Sequence, residues 1–436
     1  MEGVQGMFNA EPESLHRPLA TRVGGILPGT VLMLSAIGLA IASRAAPFYL
    51  GALLLSVLVV SPRATWRRGL QHAVAQPLVA PLALLIGYAS LSAFWAHDPA
   101  GTLEKSGIAL AVVAATSILA VAFASRDRIE RLHIAEGLWI GLLVACAYTV
   151  FEIATDQFIV RTVVNTLGIA PGTMRPPQAY LFRNGQLIKI DISAVTRNIA
   201  PLTLLLWPAM IGVRGYIAAP VARFVNAALL TMTGVAVMIS PHETSKAAFV
   251  AGLSIWLAAR MWPHAAANLV RAGWVAACLL PIPLAIGLHT AGIHTKNWLP
   301  ASARHRVEIW NYSARDTLAA PIFGNGAMTT YATVAETPPE RRNRLTPPHQ
   351  HNVYLQVWQE LGLVGALLLL LVGWRLLDIV AALDTRARPY GDAFVASAAT
   401  IASSSYGIWQ LWFMALYGMA AVAFVVGLGA GRDRPA

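Results

Sequence analysis

The sequence has 436 residues, a formal charge of +11, 56% hydrophobic residues and only 12% charged ones. A soluble enzyme is excluded, because a helix that crosses a bilayer needs about 20 mostly apolar residues and this chain supplies many such runs. Cys146 and Cys278 both fall inside apolar runs, which argues against a disulfide framework or a cysteine metal site.

The apolar runs predict about twelve spans, near residues 24–43, 46–61, 78–95, 103–124, 134–155, 194–213, 219–240, 244–260, 271–288, 351–374, 391–409 and 411–430. The fold class expected is therefore an all-α integral membrane protein. Arg17 and Arg22 precede the first run, as in a signal peptide, but the run extends to about Ser43 and others follow, so a retained first helix is expected.

Arginine placement predicts the orientation. Arg63, Arg67 and Arg68, then Arg126, Arg128 and Arg131, Arg214 and Arg223, Arg260 and Arg271, Arg375, Arg386 and Arg388, and Arg432 and Arg434 all fall on one side by alternation. That side is expected to be cytoplasmic and to hold both tails, 1–23 and 431–436. Spans one to nine lie within 24–288 and ten to twelve within 351–430, which leaves 156–193 and 289–350 facing outward.

Those outward loops are basic. The first carries Arg161, Arg175, Arg183 and Lys189. The second carries Lys296, Arg304, Arg306, Arg315, Arg341, Arg342 and Arg344. Two readings stand: a surface that meets anionic lipid heads, or a site for a multiply anionic substrate such as a lipid diphosphate. Arg197, near the start of span six, and Lys246, at the outer end of span eight, add positive charge on the same face.

The chemistry is expected at Pro347-Pro348-His349-Gln350-His351-Asn352, just before the apolar run that opens span ten. The prolines end the loop, and a helix starting beyond them would place His351 in its first turn. There the helix's free amides disfavour imidazolium and favour a nearby anion, leaving a neutral base. The alternative is an interfacial histidine bonded to a loop carbonyl. Asn352 could orient a substrate hydroxyl or cap the helix. His349 could assist, but the pair has no carboxylate or cysteine at ligand spacing, so no metal is expected.

Upstream, Arg304 to Trp310 reads as a short helix with Arg306 and Trp310 on one face. Arg306 could stack on the indole, or be held by it and aimed at phosphate oxygens. In Pro321-Ile322-Phe323-Gly324-Asn325-Gly326 the glycines allow close backbone approach. The sequence has no acidic pair for a sugar nucleotide's cation, no phosphate loop and no nucleophile elbow. Phosphate charge would fall to Arg and Lys rather than Mg²⁺.

Four patches resemble bacterial O-antigen ligases and, more broadly, the superfamily that includes O-antigen polymerases and O-linked oligosaccharyltransferases. They are Tyr88 to Pro99, Thr244 to Ala248, Arg306 to Trp310 followed by Pro321 to Gly326, and His351 to Leu355 with Gly362 and Gly365. The resemblance implies a membrane glycosyltransferase of the GT-C-like kind in the bacterial inner membrane, with its active site toward the periplasm. It implies a glycan on undecaprenyl diphosphate as donor, a lipid A–core hydroxyl as acceptor, inversion at the anomeric carbon and no cofactor. No nucleic-acid partner is expected; membrane lipids are. His351 matches the family's essential histidine, and Arg306 and Lys246 match its basic residues, Lys246 standing where arginine is usual. Arg197 and Lys189 join the set by position, with Asn352 and His349. A polymerase, a protein O-glycosylation enzyme and a transporter of an anionic lipid or glycan are the competing functions.

Overall fold

The structure, a computed structural model, describes residues 20–61, 71–72, 74–169, 179–330 and 350–431. His349 lies outside these residues, as do Pro347, Pro348 and the arginines at 341, 342 and 344.

The chain is a helical membrane protein. Its helices are α1 (Ala20–Ile41), α2 (Ala46–Val60), α3 (Val79–Leu91), α4 (Pro99–Ala124), α5 (Arg128–Ala154), α6 (Phe158–Thr166), α7 (Ala200–Tyr216), α8 (Ala219–Ile239), α9 (Glu243–Met261), α10 (Pro263–Leu279), α11 (Pro281–Thr290), α12 (Ala301–Thr317), α13 (Val353–Ala381), α14 (Arg388–Ser404) and α15 (Leu411–Gly431). Proline at the first or second helical position sets the start of several of them, where its missing N–H costs nothing. Asp98 and Asp127 cap α4 and α5 by accepting from the amides of Gly101 and Glu130, at 2.8 and 2.9 Å.

Among the described residues, seven helices are long and apolar enough to cross a bilayer, or eight if the bent pair α10–α11 is one span. About twelve were expected. α3, α7 and α14 have only 13, 17 and 17 residues, and α9 carries Glu243, Lys246 and Arg260 inside its bounds. The span expected at 271–288 is two helices bent by 76°, because Pro281 and Pro283 withdraw backbone donors there. The segment 156–193 holds α6 and an antiparallel hairpin of β1 (Tyr180–Arg183) and β2 (Gln186–Ile190).

Close contacts fix the bundle. Gly25 and Gly29 of α1 meet the backbone of α5 at Glu130 and His133, and Gly137 and Gly141 of α5 meet Gly29 and Met33 in return. Small residues four apart on both helices let the backbones approach, which is how membrane helices associate without a hydrophobic driving force. Trp207 of α7, fully buried, donates its indole N–H to Ser397 of α14 at 2.9 Å, and Ser397 donates to the Ala248 carbonyl of α9 at 3.0 Å. That staple places the ends of α9 and α14 side by side, which matters for the site.

Candidate active site

The site is organised by the segment between α14 and α15. The sequence reads as one apolar stretch here, and a span over 391–409 was expected. Instead α14 stops at Ser404, with Ser405 at φ −117° and ψ −77°, and α15 starts only at Leu411. The reason is local: Ser403-Ser404-Ser405-Tyr406-Gly407 offers hydroxyls that compete for backbone partners and a glycine that weakens the helix. The resulting turn meets groups from four other elements. Thr244 of α9 donates to the Ser404 carbonyl at 2.9 Å. Arg306 of α12 reaches the Ser404 hydroxyl at 3.5 Å. His351 meets the Ser405 carbonyl at 2.7 Å. The Ile408 amide donates to Gln356 of α13 at 3.0 Å.

His351 is not in the first helical turn. It takes a left-handed backbone, φ 56°, and Asn352 is the cap, its side-chain oxygen accepting from the Leu355 amide at 3.0 Å. A cap of this kind contributes about 1 kcal/mol, and it takes up the oxygen that was one candidate for orienting substrate. Just outside the helix, the His351 ring is fixed by its own bond. A carbonyl only accepts, so Nδ1 carries the hydrogen and donates to Ser405, which leaves the lone pair on Nε2. Burial pushes its pKa down to about 4; Arg306 and His305 push the same way and the Ser405 carbonyl opposes them. The imidazole is therefore neutral at ordinary pH.

The basic residues sort into two groups. Arg306, on α12, lies in the electrostatic reach of His351, of His242 and of Tyr406. Arg197 sits on a short 3₁₀ helix, Ile192–Ile199, just before α7 rather than inside it, and acts on Tyr406 together with Arg44, from the turn between α1 and α2. Three guanidinium groups from distant segments thus lie within electrostatic reach of the buried Tyr406 phenol. Lys246 lies in the first turn of α9 but pairs with Glu243 at 2.9 Å, so its charge is largely offset. Lys189 is exposed on β2. Stacking on Trp310 was one of two readings for Arg306; in the structure Arg306 reaches Ser404, and the Trp310 indole N–H donates to the Gln350 carbonyl at 2.9 Å.

Two groups that the sequence did not single out complete the site. His242, before α9, is buried; its Nδ1 lies 2.6 Å from the Ser245 hydroxyl and its Nε2 3.4 Å from that of Tyr406. Burial, then Arg306, takes its pKa down to about 4. Arg44 was legible as an outward-facing arginine by the alternation that set the topology, and the serine-glycine cluster at 403–407 was a turn signal inside an apolar run.

The four patches meet in space. The α13 helix is broken at Gly362, φ 62°, so residues 351–374 are not one straight span. The loop Pro321–Gly326 fills the break: the amides of Leu363 and Val364 donate to the carbonyls of Pro321 and Ile322 at 2.9 and 3.2 Å, and the amides of Asn325 and Gly326 donate to those of Gln359 and Glu360 at 3.0 and 2.8 Å. Non-helical backbone at such depth survives only where protein satisfies it. Tyr88 donates to the Phe323 carbonyl at 3.1 Å, and the Ser92 hydroxyl accepts from the Ala327 amide at 2.9 Å. Beside Asn352 and Trp310 opens a cleft of about 490 Å³, lined by apolar residues such as Leu280, Pro283 and Leu284, with Ser403 near the turn.

Residues 227–370 match the family described as O-antigen ligase. That segment, about a third of the chain, is similar to the O-antigen ligase family. The matched stretch contains His242, Lys246, Arg306, His351 and Gly362, and ends before the Ser404–Gln410 turn. Over 119 residues the chain is 30% identical to a protein of Rickettsia conorii provisionally named a polysaccharide ligase, covering 26% of this chain and 29% of that one. Over 187 residues it is 28% identical to a protein of Rickettsia bellii with the same provisional name, covering 41% and 45%. The chain thus spans less than half the length of the curated relatives it matches. The family's segment supplies the imidazole and one arginine; Arg44, Arg197 and Tyr406 come from outside it.

Proposed function

We propose that this protein transfers a glycan from undecaprenyl diphosphate to a hydroxyl of lipid A–core at the periplasmic face of the bacterial inner membrane. The observation that carries this reading is the convergence of Arg306, Arg197 and Arg44 on one turn that also fixes a neutral imidazole. A diphosphate is a good leaving group once its charge is offset, and guanidinium groups offset it without a metal ion.

In this mechanism His351 Nε2 takes the proton from the acceptor hydroxyl as its oxygen attacks the anomeric carbon. The bond to the lipid diphosphate breaks on the opposite face, and the electron pair leaves with the phosphate oxygen. One displacement inverts the anomeric configuration, as in inverting glycosidases. Arg306 meets the growing charge, with Arg197 and Arg44 on the remaining phosphoryl oxygens. Lys246, paired with Glu243, and Lys189, on the hairpin, take outer positions. The apolar cleft at the bend of α10 and α11 suits the prenyl chain, because it opens beside Asn352 and has almost no polar lining. Topology follows the arginine distribution, with both tails cytoplasmic.

The test is transfer with purified protein, lipid-linked glycan and lipid A–core, in the absence of nucleotide and metal. Glycan-bearing lipid A–core is the expected product. Glycan lengthened on the prenyl lipid instead marks a polymerase, and no transfer to either lipid defeats the proposal. In the same assay, Arg306→Ala is expected to raise donor KM and lower kcat, with a combined loss in kcat/KM of about 10²- to 10³-fold; unchanged constants would remove Arg306 from the diphosphate site. The pH dependence has a definite sign. A base whose pKa is lowered to about 4 is unprotonated above that value, so transfer holds from neutral pH down to about 5 and fails as pH drops through about 4. An acid limb near 6.5 would mean a solvated ring.

A further inference from the structure

We infer that Glu360 is a positioning residue for His351: it anchors the turn whose Ser405 carbonyl sets the imidazole's orientation. The inference rests on the function proposed above. Glu360 lies in the first half of α13, only 1% exposed, and makes no ion pair among the described residues. Four groups face its carboxylate: the Trp409 indole N–H, the Gln356 amide at 3.1 Å, the Thr330 hydroxyl at 3.5 Å and the backbone amide of Met328.

All four are donors. Indole and backbone N–H have no other option. The Gln356 amide cannot be turned round, because its oxygen already accepts from the Ile408 amide at 3.0 Å. The Thr330 hydroxyl accepts from the Gln350 amide at 2.7 Å, so its hydrogen is directed to Glu360. This pocket is shaped for an acceptor-only side chain. A fold that needed only to close the gap could use an apolar residue of similar size and avoid desolvating a carboxylate.

The same arrangement shows what the acid holds. Through Trp409 directly, and through Gln356 at Ile408, α13 grips the far end of the Ser404–Gln410 turn. The near end of that turn accepts from His351 through the Ser405 carbonyl. Both ends of the connection lie on one short piece of chain, Gln350 to Glu360. Loosening the grip at residues 408 and 409 therefore lets the carbonyl move relative to Nδ1. The ring can then turn, and Nε2 no longer faces the acceptor hydroxyl in a single orientation.

The test is a double-mutant cycle on the full-length detergent-purified protein, using His351→Ala, Glu360→Gln and the pair, with transfer from lipid-linked glycan to lipid A–core and thermal unfolding measured on each. Glu360→Gln keeps the size but replaces one carboxylate oxygen with an amide N–H₂, which then faces a donor, Trp409 on one oxygen's side or Gln356 and Thr330 on the other's. A displaced base is expected to lower kcat roughly 10- to 100-fold, with donor KM unchanged. In the His351→Ala background the same substitution should cost nothing further, since Glu360 acts only through that ring. If Glu360→Gln does not fold, Trp409→Phe removes one of the four donors and enters the same cycle. An equal loss in both backgrounds, an unchanged kcat, or a loss that tracks the unfolding temperature overturns the positioning role and leaves the base assignment standing. Full activity in His351→Ala alone overturns the base assignment itself.

Discussion

Replacing His351 with alanine is expected to lower kcat by about 10²- to 10⁴-fold, the usual contribution of a positioned general base. Donor KM should change little, because the proposed diphosphate site is made of arginines on other elements. A control for folding is needed here, since His351 has φ 56° and few side chains tolerate that backbone. Asparagine does, so His351→Asn should fold as well as the parent and transfer as poorly as the alanine variant. Normal yield and thermal unfolding of His351→Asn, with near-complete loss of lipid A–core glycosylation, is the expected pair of results. Retained transfer in either variant would assign the proton to another group.

Gly362→Ala is expected to have the largest effect on stability, about 2–6 kcal/mol. Left-handed backbone without glycine costs roughly 1–3 kcal/mol, and forcing a methyl into filled space costs about 1–3 more. At Gly362 the new Cβ would overlap the Ile322 carbonyl and crowd the Gly324 amide, which are backbone atoms that cannot step aside. Thermal unfolding in detergent should fall markedly, and surviving protein should be poorly active because the Pro321–Gly326 loop no longer seats. Gly273→Ala on α10 is the comparison: its added Cβ has open space around it, so little or no loss is expected there.

The spans were legible because the bilayer sets a length and a polarity that any membrane helix must meet, as the runs at α4, α5 and α15 illustrate. Arg306 and His351 were legible because ionisable residues at a membrane boundary stand out against an apolar background. What the sequence hid was non-local. Gly362 sits in a run that reads as uninterrupted helix, and nothing near it announces that Pro321 and Ile322 supply the carbonyls its break requires. Ser405 acts through its backbone, whose role no side chain betrays. His242 and Tyr406 look like ordinary buried residues until the fold puts one beside the other and three arginines within electrostatic reach of the phenol. The first-turn position expected for His351 failed for a simple reason: Asn352 is a better cap, and the cap fixes where the helix begins.

The way the loop at residues 321–326 is seated in α13 bears on how chimeras of this chain could be built. Four main-chain bonds tie residues 321–326 to residues 359–364, so the loop and the upper turns of that helix form a single cassette. A chimera that swaps α12 and the following loop but cuts before Gly362 would part the amides of Leu363 and Val364 from the carbonyls they meet at residues 321 and 322. Grafting from the start of α12 through the end of the helical break keeps these four donors with their acceptors, and that is the boundary at which recombined or engineered versions should remain foldable.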